Sequence, residues 1–205
     1  MPVLADIGQR LEISSIPDWK FIADWYSDIS STKAKGDFEI KETVADLFKG
    51  NVAYSELEKA KMIYNYIVRN ISYSDVSFLH SAFTPQRASR TLNTRLGDCK
   101  DLATLFVAMA KEVGLKANLI LVDTRDNGDQ HLLLPSVNFN HCIASVEAEG
   151  KNYLVELTYP YLPFGTLTYI LRNTSGLYIP RDNQSMPDKL VKLNSENDIP
   201  ETISR

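Results

Sequence analysis

The chain has 205 residues, 26 acidic against 22 basic side chains and a formal net charge of -4. That is length enough for one sizeable core, and the wrong charge balance for a nucleic-acid partner or for an anionic membrane surface. No stretch reaches the ~18 apolar residues of a membrane helix, and residues 1–13 lack the apolar segment of a signal peptide, so a soluble chain without membrane insertion is expected. The two cysteines, Cys99 and Cys142, and the three histidines, His80, His131 and His141, rule out a disulfide scaffold and a cysteine-only zinc site. The histidine spacing gives no two-histidine metal motif, and no Gly-rich phosphate loop is present, so neither a metal nor a cofactor is expected.

Taken in order, Pro17 and Asp18 open a helix whose apolar positions Phe21, Ile22, Trp25, Tyr26 and Ile29 keep the helical period. A polar break over 30–36 leads to a second amphipathic helix, with Ile40, Val44, Leu47 and Phe48 on one face and Gly50 as its stop. Ser55 and Glu58 form a capping box that starts a third helix, turning Leu57, Ala60, Ile63, Tyr64, Ile67 and Val68 inward. An aromatic stripe at helical spacing fits core packing better than a ligand box. Residues 71–76 predict a short extended piece, 77–85 a loop carrying His80, and 85–92 a further short helix.

Leu96, Gly97, Asp98, Cys99, Lys100, Asp101, Leu102 and Ala103 then read as a helix start built around a cysteine. Gly97 can take the unusual dihedrals of a tight entry, Asp98 is a favoured N-cap able to accept backbone N–H groups near Asp101, and Cys99 falls at the first helical position. There the unpaired N–H groups and the positive end of the helix dipole favour a thiolate, while Asp98 and Asp101 oppose it. A positive partner such as an imidazolium is therefore needed. The rest of this helix is apolar nearly all round up to Gly114, which places it in the middle of a core.

Beyond Gly114 the period changes. Residues 117–123 form a short apolar run, 125–136 are polar and turn-rich, and 138–146 and 153–158 predict two strands around Glu149 and Gly150. Residues 167–171 and 177–180 add candidate edge strands, and the chain from Arg181 onward is mostly polar. Helices followed by a sheet indicate an α+β fold, a helical N-terminal half packed on an antiparallel β-sheet, rather than alternating βαβ units. The expected organisation is residues 1–53 as a helical extension of the same domain, 54–180 as its core, and 181–205 as a polar tail or linker. The abrupt start and polar end fit a piece of a longer precursor.

A thiolate nucleophile needs a base within hydrogen-bond reach, and the base needs an orienting group; the candidates in chain order are Cys99, His141 and Glu156. Each has an ordinary alternative: a small buried hydrophobe, a core histidine on a backbone carbonyl, an edge carboxylate in solvent. Their positions on one helix start and two adjacent strands are what favours a site, together with the cost of an acid inside the apolar run Tyr153 to Thr158. The hairpin register decides whether His141 and Glu156 share a face. A two-residue turn centred on Ala148 and Glu149, or on Glu149 and Gly150, puts them on one face; a three-residue turn ending in a Gly150 bulge separates them. Strand alternation places Cys142 on the face opposite His141, out of reach of Cys99, as an inert structural residue that forms no disulfide.

Gly97 to Asp101, Gly114, Asn140 with His141, and Val155 to Thr158 together resemble the transglutaminase-like superfamily of papain-like cysteine enzymes, best over about 54–167. The similarity is closest to the transglutaminase-like domains of large bacterial envelope proteins, where segments like Leu134, Pro135 and Pro160 to Pro163 occur. This resemblance implies a papain/transglutaminase-like core, a Cys99 nucleophile, a His141 base and an acidic orienter at Glu156, where the family usually carries Asp in an Asp-Pro-Thr run. It implies acyl transfer from an amide of a peptide or protein substrate, with peptidase or amidase chemistry favoured. It also implies a periplasmic or envelope location and further domains in the parent protein. Two alternatives stand beside it: a non-catalytic module binding peptide or glycan in the same cleft, and an amine-accepting, protein cross-linking transglutaminase.

Overall fold

The computed structural model describes residues 11–50, 53–74, 83–128, 132–181 and 189–194, so the expectations for His80 and His131 lie outside the described residues. Three helices come first: α1 (Trp19–Ser31), α2 (Phe38–Leu47) and α3 (Glu56–Asn70). Asp18 caps α1 by accepting from the Phe21 N–H at 2.7 Å, and Ser55 and Glu58 close the expected capping box on α3 at 3.2 and 2.8 Å. Of the apolar positions expected on α1, Ile22 and Tyr26 are buried, whereas Phe21 and Trp25 remain 56% and 37% exposed.

Next come β1 (Ser72–Tyr73), α4 (Ala88–Thr94), β2 (Leu96–Gly97) and α5 (Cys99–Glu112), with β1 and β2 pairing in parallel. Every residue of α5 from Cys99 to Ala110 is buried, because α2, α3 and α4 pack around it and the sheet closes its remaining side. The sheet is antiparallel throughout, in the order β5-β4-β3-β6-β7, built from β3 (Lys116–Val122), β4 (His141–Ala148), β5 (Lys151–Val155), β6 (Ser175–Tyr178) and β7 (Val191–Lys192). Alternation divides its side chains. Leu119, Leu121, Cys142, Ala144, Val146, Val155 and Leu177 face the helical layer, and Ile120, Val122, Ile143, Leu154 and Tyr178 form a second apolar face.

Two expectations for the C-terminal part are corrected by that second face. Residues 167–171 are not an edge strand: a 3-10 turn at Tyr169–Leu171 brings Leu167 and Leu171 together over Ile120, Val122 and Ile143, a cover that extended backbone would not give. The strand expected over 177–180 is centred earlier and is interior, flanked by β3 and by β7. Gly176 makes that packing possible, since a Cβ there would lie 2.7 Å from Ile120 Cγ2 and 2.9 Å from Leu193 Cδ2. Val191 and Lys192, inside the stretch read as a tail, thus belong to the sheet, and Leu193 is buried beside it.

Candidate functional site

The site forms where the N-terminus of α5 meets the ends of β4 and β5. Chain direction into α5 is set by β2, and Gly97 is needed there for space rather than for an unusual dihedral. It is not among the residues with positive φ, but a Cβ on it would stand 2.8 Å from Asp101 Cβ and 2.9 Å from Thr91 Cγ2. Asp98 then caps the helix reciprocally: its carboxylate accepts the Asp101 N–H at 3.2 Å, and its own N–H donates to Asp101 Oδ2 at 3.2 Å. Cys99 is the first helical residue and 5% exposed, so its backbone N–H has no intrahelical acceptor.

Both carboxylates beside the cysteine are engaged. The buried Lys100 ammonium donates to Asp98 Oδ2, and Asp101 accepts from the Gln86 backbone N–H and side-chain Nε2, each at 2.8 Å. Sequence reasoning weighed Asp98 and Asp101 as charges opposing the thiolate and missed these partners. Lys100 stood next to the cysteine in the sequence, whereas Gln86 is brought in only by the packing of α4 on α5.

His141 is the first residue of β4, and Asn140 fixes the chain just before it. The Asn140 side chain accepts the Thr124 N–H at 2.9 Å and donates to Thr124 Oγ1 at 2.7 Å, while its N–H donates to Val122 O at 3.1 Å. The hairpin turn is the two-residue form centred on Glu149 and Gly150, which have φ of +53° and +74°, with Ala148 opposite Lys151 and Ala144 opposite Val155. Glu149 holds its left-handed conformation while its N–H donates to Glu56 Oε2 of α3 at 2.6 Å. Carried on past Val155, this register sets Glu156 across from Ile143, diagonal to His141 on the same face.

The two side chains meet: His141 Nε2 lies 2.8 Å from Glu156 Oε2, and the Glu156 side chain is fully buried. Its other oxygen, Oε1, accepts from both the backbone N–H and the hydroxyl of Thr158, each at 2.7 Å. Thr158 therefore fixes the carboxylate from behind, a role sequence reasoning missed because it rests on the chain's bend just after β5. With Nε2 committed to Glu156, Nδ1 is the ring nitrogen left to face the Cys99 thiol, whose proximity helps to raise the proton affinity of the ring. The structure thus brings all three candidate residues together.

Burial works to lower the proton affinity of the His141 ring, but the Glu156 charge, the interaction with Cys99 and the hydrogen bond donated to Glu156 outweigh it and hold the ring well above its ordinary 6.5. For Glu156, burial works upward and is overcome by the His141 charge and by hydrogen bonds from His141 and Thr158, leaving the carboxyl below its ordinary 4.5. The pair is consistent with an imidazolium held against a carboxylate. Cys142 is a buried free thiol, pushed well up by burial and then by the charge of Cys99. It does not lie away from Cys99 as expected. It packs in the helix-facing layer that also contains Cys99, because the site sits at the end of the sheet rather than over one of its faces. Among the described residues, no group of three or more His, Cys, Asp or Glu side chains is arranged to hold a metal ion.

The family model of the transglutaminase-like superfamily matches residues 42–155, more than half of the chain, including Cys99 and His141 and ending one residue before Glu156. Among solved structures, a proposed protease of Parabacteroides distasonis shares the fold at a TM-score of 0.63 and 15% identity, over 80% of this chain and 30% of that one. A proposed cysteine protease of Cytophaga hutchinsonii aligns at a TM-score of 0.44 and 18% identity, over 72% of this chain and 46% of that one. The chain thus spans less than half the length of either protein. No curated protein matches it significantly.

Proposed function

The chain belongs to the transglutaminase-like superfamily, and from that premise we propose that it is a cysteine enzyme acting on amide bonds of a peptide or protein through a thioester, with peptidase or amidase chemistry favoured. The observation that carries the reading is the pair beside the α5 N-terminus: a buried carboxylate held by Thr158 and an imidazole 2.8 Å from it, with the Cys99 thiol close enough to help raise that imidazole's proton affinity. Cys99 Sγ attacks the carbonyl carbon, forming the C–S bond as the thiol proton resides on His141. The backbone N–H of Cys99 faces the developing oxyanion. Collapse breaks the C–N bond, and His141 delivers its proton to the departing amine. Water, deprotonated by His141, then attacks the thioester and returns the sulfur. Glu156 keeps the ring in the tautomer that places Nδ1 toward sulfur and stabilises its charged form.

Hydrolysis as the fate of the thioester accords with the protease assignment proposed for the Parabacteroides distasonis protein. The test is incubation of the full chain and its Cys99→Ala variant with dimethylated casein and a fluorescent primary amine. New N-termini, or ammonia released without incorporation of the amine, are expected and should depend on Cys99. Cys99-dependent incorporation of the amine, with ammonia as its leaving group, would identify a cross-linking enzyme. Tight casein binding without any turnover would favour a non-catalytic module.

A further inference from the structure

Three charged side chains, Asp98, Lys100 and Asp101, are 4%, 1% and 3% exposed around the first turn of α5, an expensive placement unless each is compensated. Asp98 is the N-cap, so its carboxylate cannot leave, and it lies one residue from the sulfur. Among the described residues, several titratable groups of the packed elements couple to Cys99. Tyr26 of α1 and Cys142 of β4 are both held protonated by burial at neutral pH, and the charges of His141 and Glu156 offset one another. Asp101 is met by two Gln86 donors, and Arg90 of α4 lines a cavity of about 370 Å³ together with Asp98, Lys100 and Asp101. Among the described residues, what remains next to the cysteine is the Asp98 carboxylate, and Lys100 is in contact with it.

We propose that Lys100 is a positioning residue for the nucleophile: acting through Asp98, it cancels the charge of the capping carboxylate, so the helix keeps its cap while the sulfur meets no uncompensated negative charge. The ammonium does not touch the reacting atoms. It makes an acidic N-cap compatible with an anionic nucleophile at the next position, which a dipole alone would have to achieve against a full charge. The inference rests on Cys99 being the nucleophile proposed above.

The experiment measures the rate constant for iodoacetamide alkylation of Cys99 at pH 6, located by peptide mapping, in the full chain. Lys100→Gln is expected to react about tenfold more slowly, since a like charge beside an ionising group typically opposes it by at least that factor. Lys100→Arg should restore the rate. Asp98→Asn, which keeps a good cap and leaves the Lys100 charge beside the sulfur, should react faster than the unmodified protein, and the double variant Asp98→Asn with Lys100→Gln should return near it. Lys100→Gln reacting at the unmodified rate, or Asp98→Asn reacting no faster, would overturn the inference. Should Lys100→Gln not fold, Asp98→Asn and the double variant decide it alone. A folded unmodified chain whose Cys99 reacts no faster than in urea would instead remove the nucleophile reading, and this inference with it; a fast Cys99 indifferent to position 100 overturns only the role of Lys100.

Discussion

Replacing Glu156 with Gln removes the charge from the relay while preserving its shape. In the native site Oε1 takes two donors from Thr158 and Oε2 takes His141 Nε2 at 2.8 Å. An amide satisfies only one side. With its carbonyl on Thr158, its NH2 group faces Nε2 and forces the ring proton onto Nδ1, the nitrogen that must take the thiol proton; turned round, its NH2 group meets the two Thr158 donors. The lost interaction is a charge-assisted hydrogen bond worth about 1.5–3 kcal/mol. This lowers the His141 titration midpoint, and at 1.36 kcal/mol per factor of ten lowers kcat by roughly 10- to 150-fold. The direction follows from the site: Glu156 is the group whose charge holds His141 up against burial, so its removal lets burial act. The assay is a long-range nitrogen-proton NMR titration of the histidine rings, with His141→Gln used to assign the signal. The unfolding free energy supplies a second check. His141, raised in the folded state, contributes stability fully present below its ordinary 6.5 and lost as pH rises through the raised value; Glu156, lowered, contributes stability present above its ordinary 4.5 and lost as pH falls through the lowered value. The stability gap between the unmodified protein and Glu156→Gln should therefore be widest between pH 4.5 and 6.5. A His141 midpoint that does not move in Glu156→Gln would refute the reasoning.

Other consequences follow from the same contacts. Thr158→Val removes one of the two donors on Glu156 Oε1 and should cost about 1–3 kcal/mol by chemical denaturation, with Thr158→Ser restoring most of it; equal losses in both would show that the hydroxyl is idle. Tyr64, raised to about 12 by burial and then by Glu156, donates its hydroxyl to Leu162 O, and Tyr64→Phe should lower Tm by a few degrees through the unsatisfied carbonyl. Gly97→Ala, with Asp101 Cβ 2.8 Å from the new methyl, should destabilise by about 1–3 kcal/mol, and a neutral result would mean that α4 and α5 can move apart. Cys142, buried and pushed up, should stay unmodified by iodoacetamide in the native protein and react only in denaturant.

The parts of this fold that local chemistry specifies were legible in the chain. Capping signals at Asp18, Ser55 and Asp98 mark helix starts that the structure places at Trp19, Glu56 and Cys99, and the uniform apolarity of 102–110 announces a central helix. What depends on distant partners was not. The pairing of Ser175 and Gly176 with Lys192 and Val191 joins short segments with no alternating pattern of their own, and Leu167 with Leu171 makes sense only once the second sheet face needs a cover. At the site, residue types were readable and their supports were not. The turn at Glu149 and Gly150 was one of three registers, and the left-handed φ of Glu149, with its N–H on Glu56, is a contact between β4–β5 and α3 that no local rule contains. Likewise Lys100, Gln86 and Thr158 acquire their roles only from the atoms they reach.

The most direct test of the central claim is to look for the acyl-enzyme itself. Mixed with p-nitrophenyl acetate near neutral pH, the full chain should release a burst of p-nitrophenolate stoichiometric with protein, and mass spectrometry should place the acetyl group on Cys99 as a hydroxylamine-labile thioester. The burst should vanish in Cys99→Ala and slow strongly in His141→Ala, with both variants folded. Acetylation confined to lysines, or a burst that survives Cys99→Ala, would contradict the assignment of Cys99, His141 and Glu156 as an acyl-transfer centre.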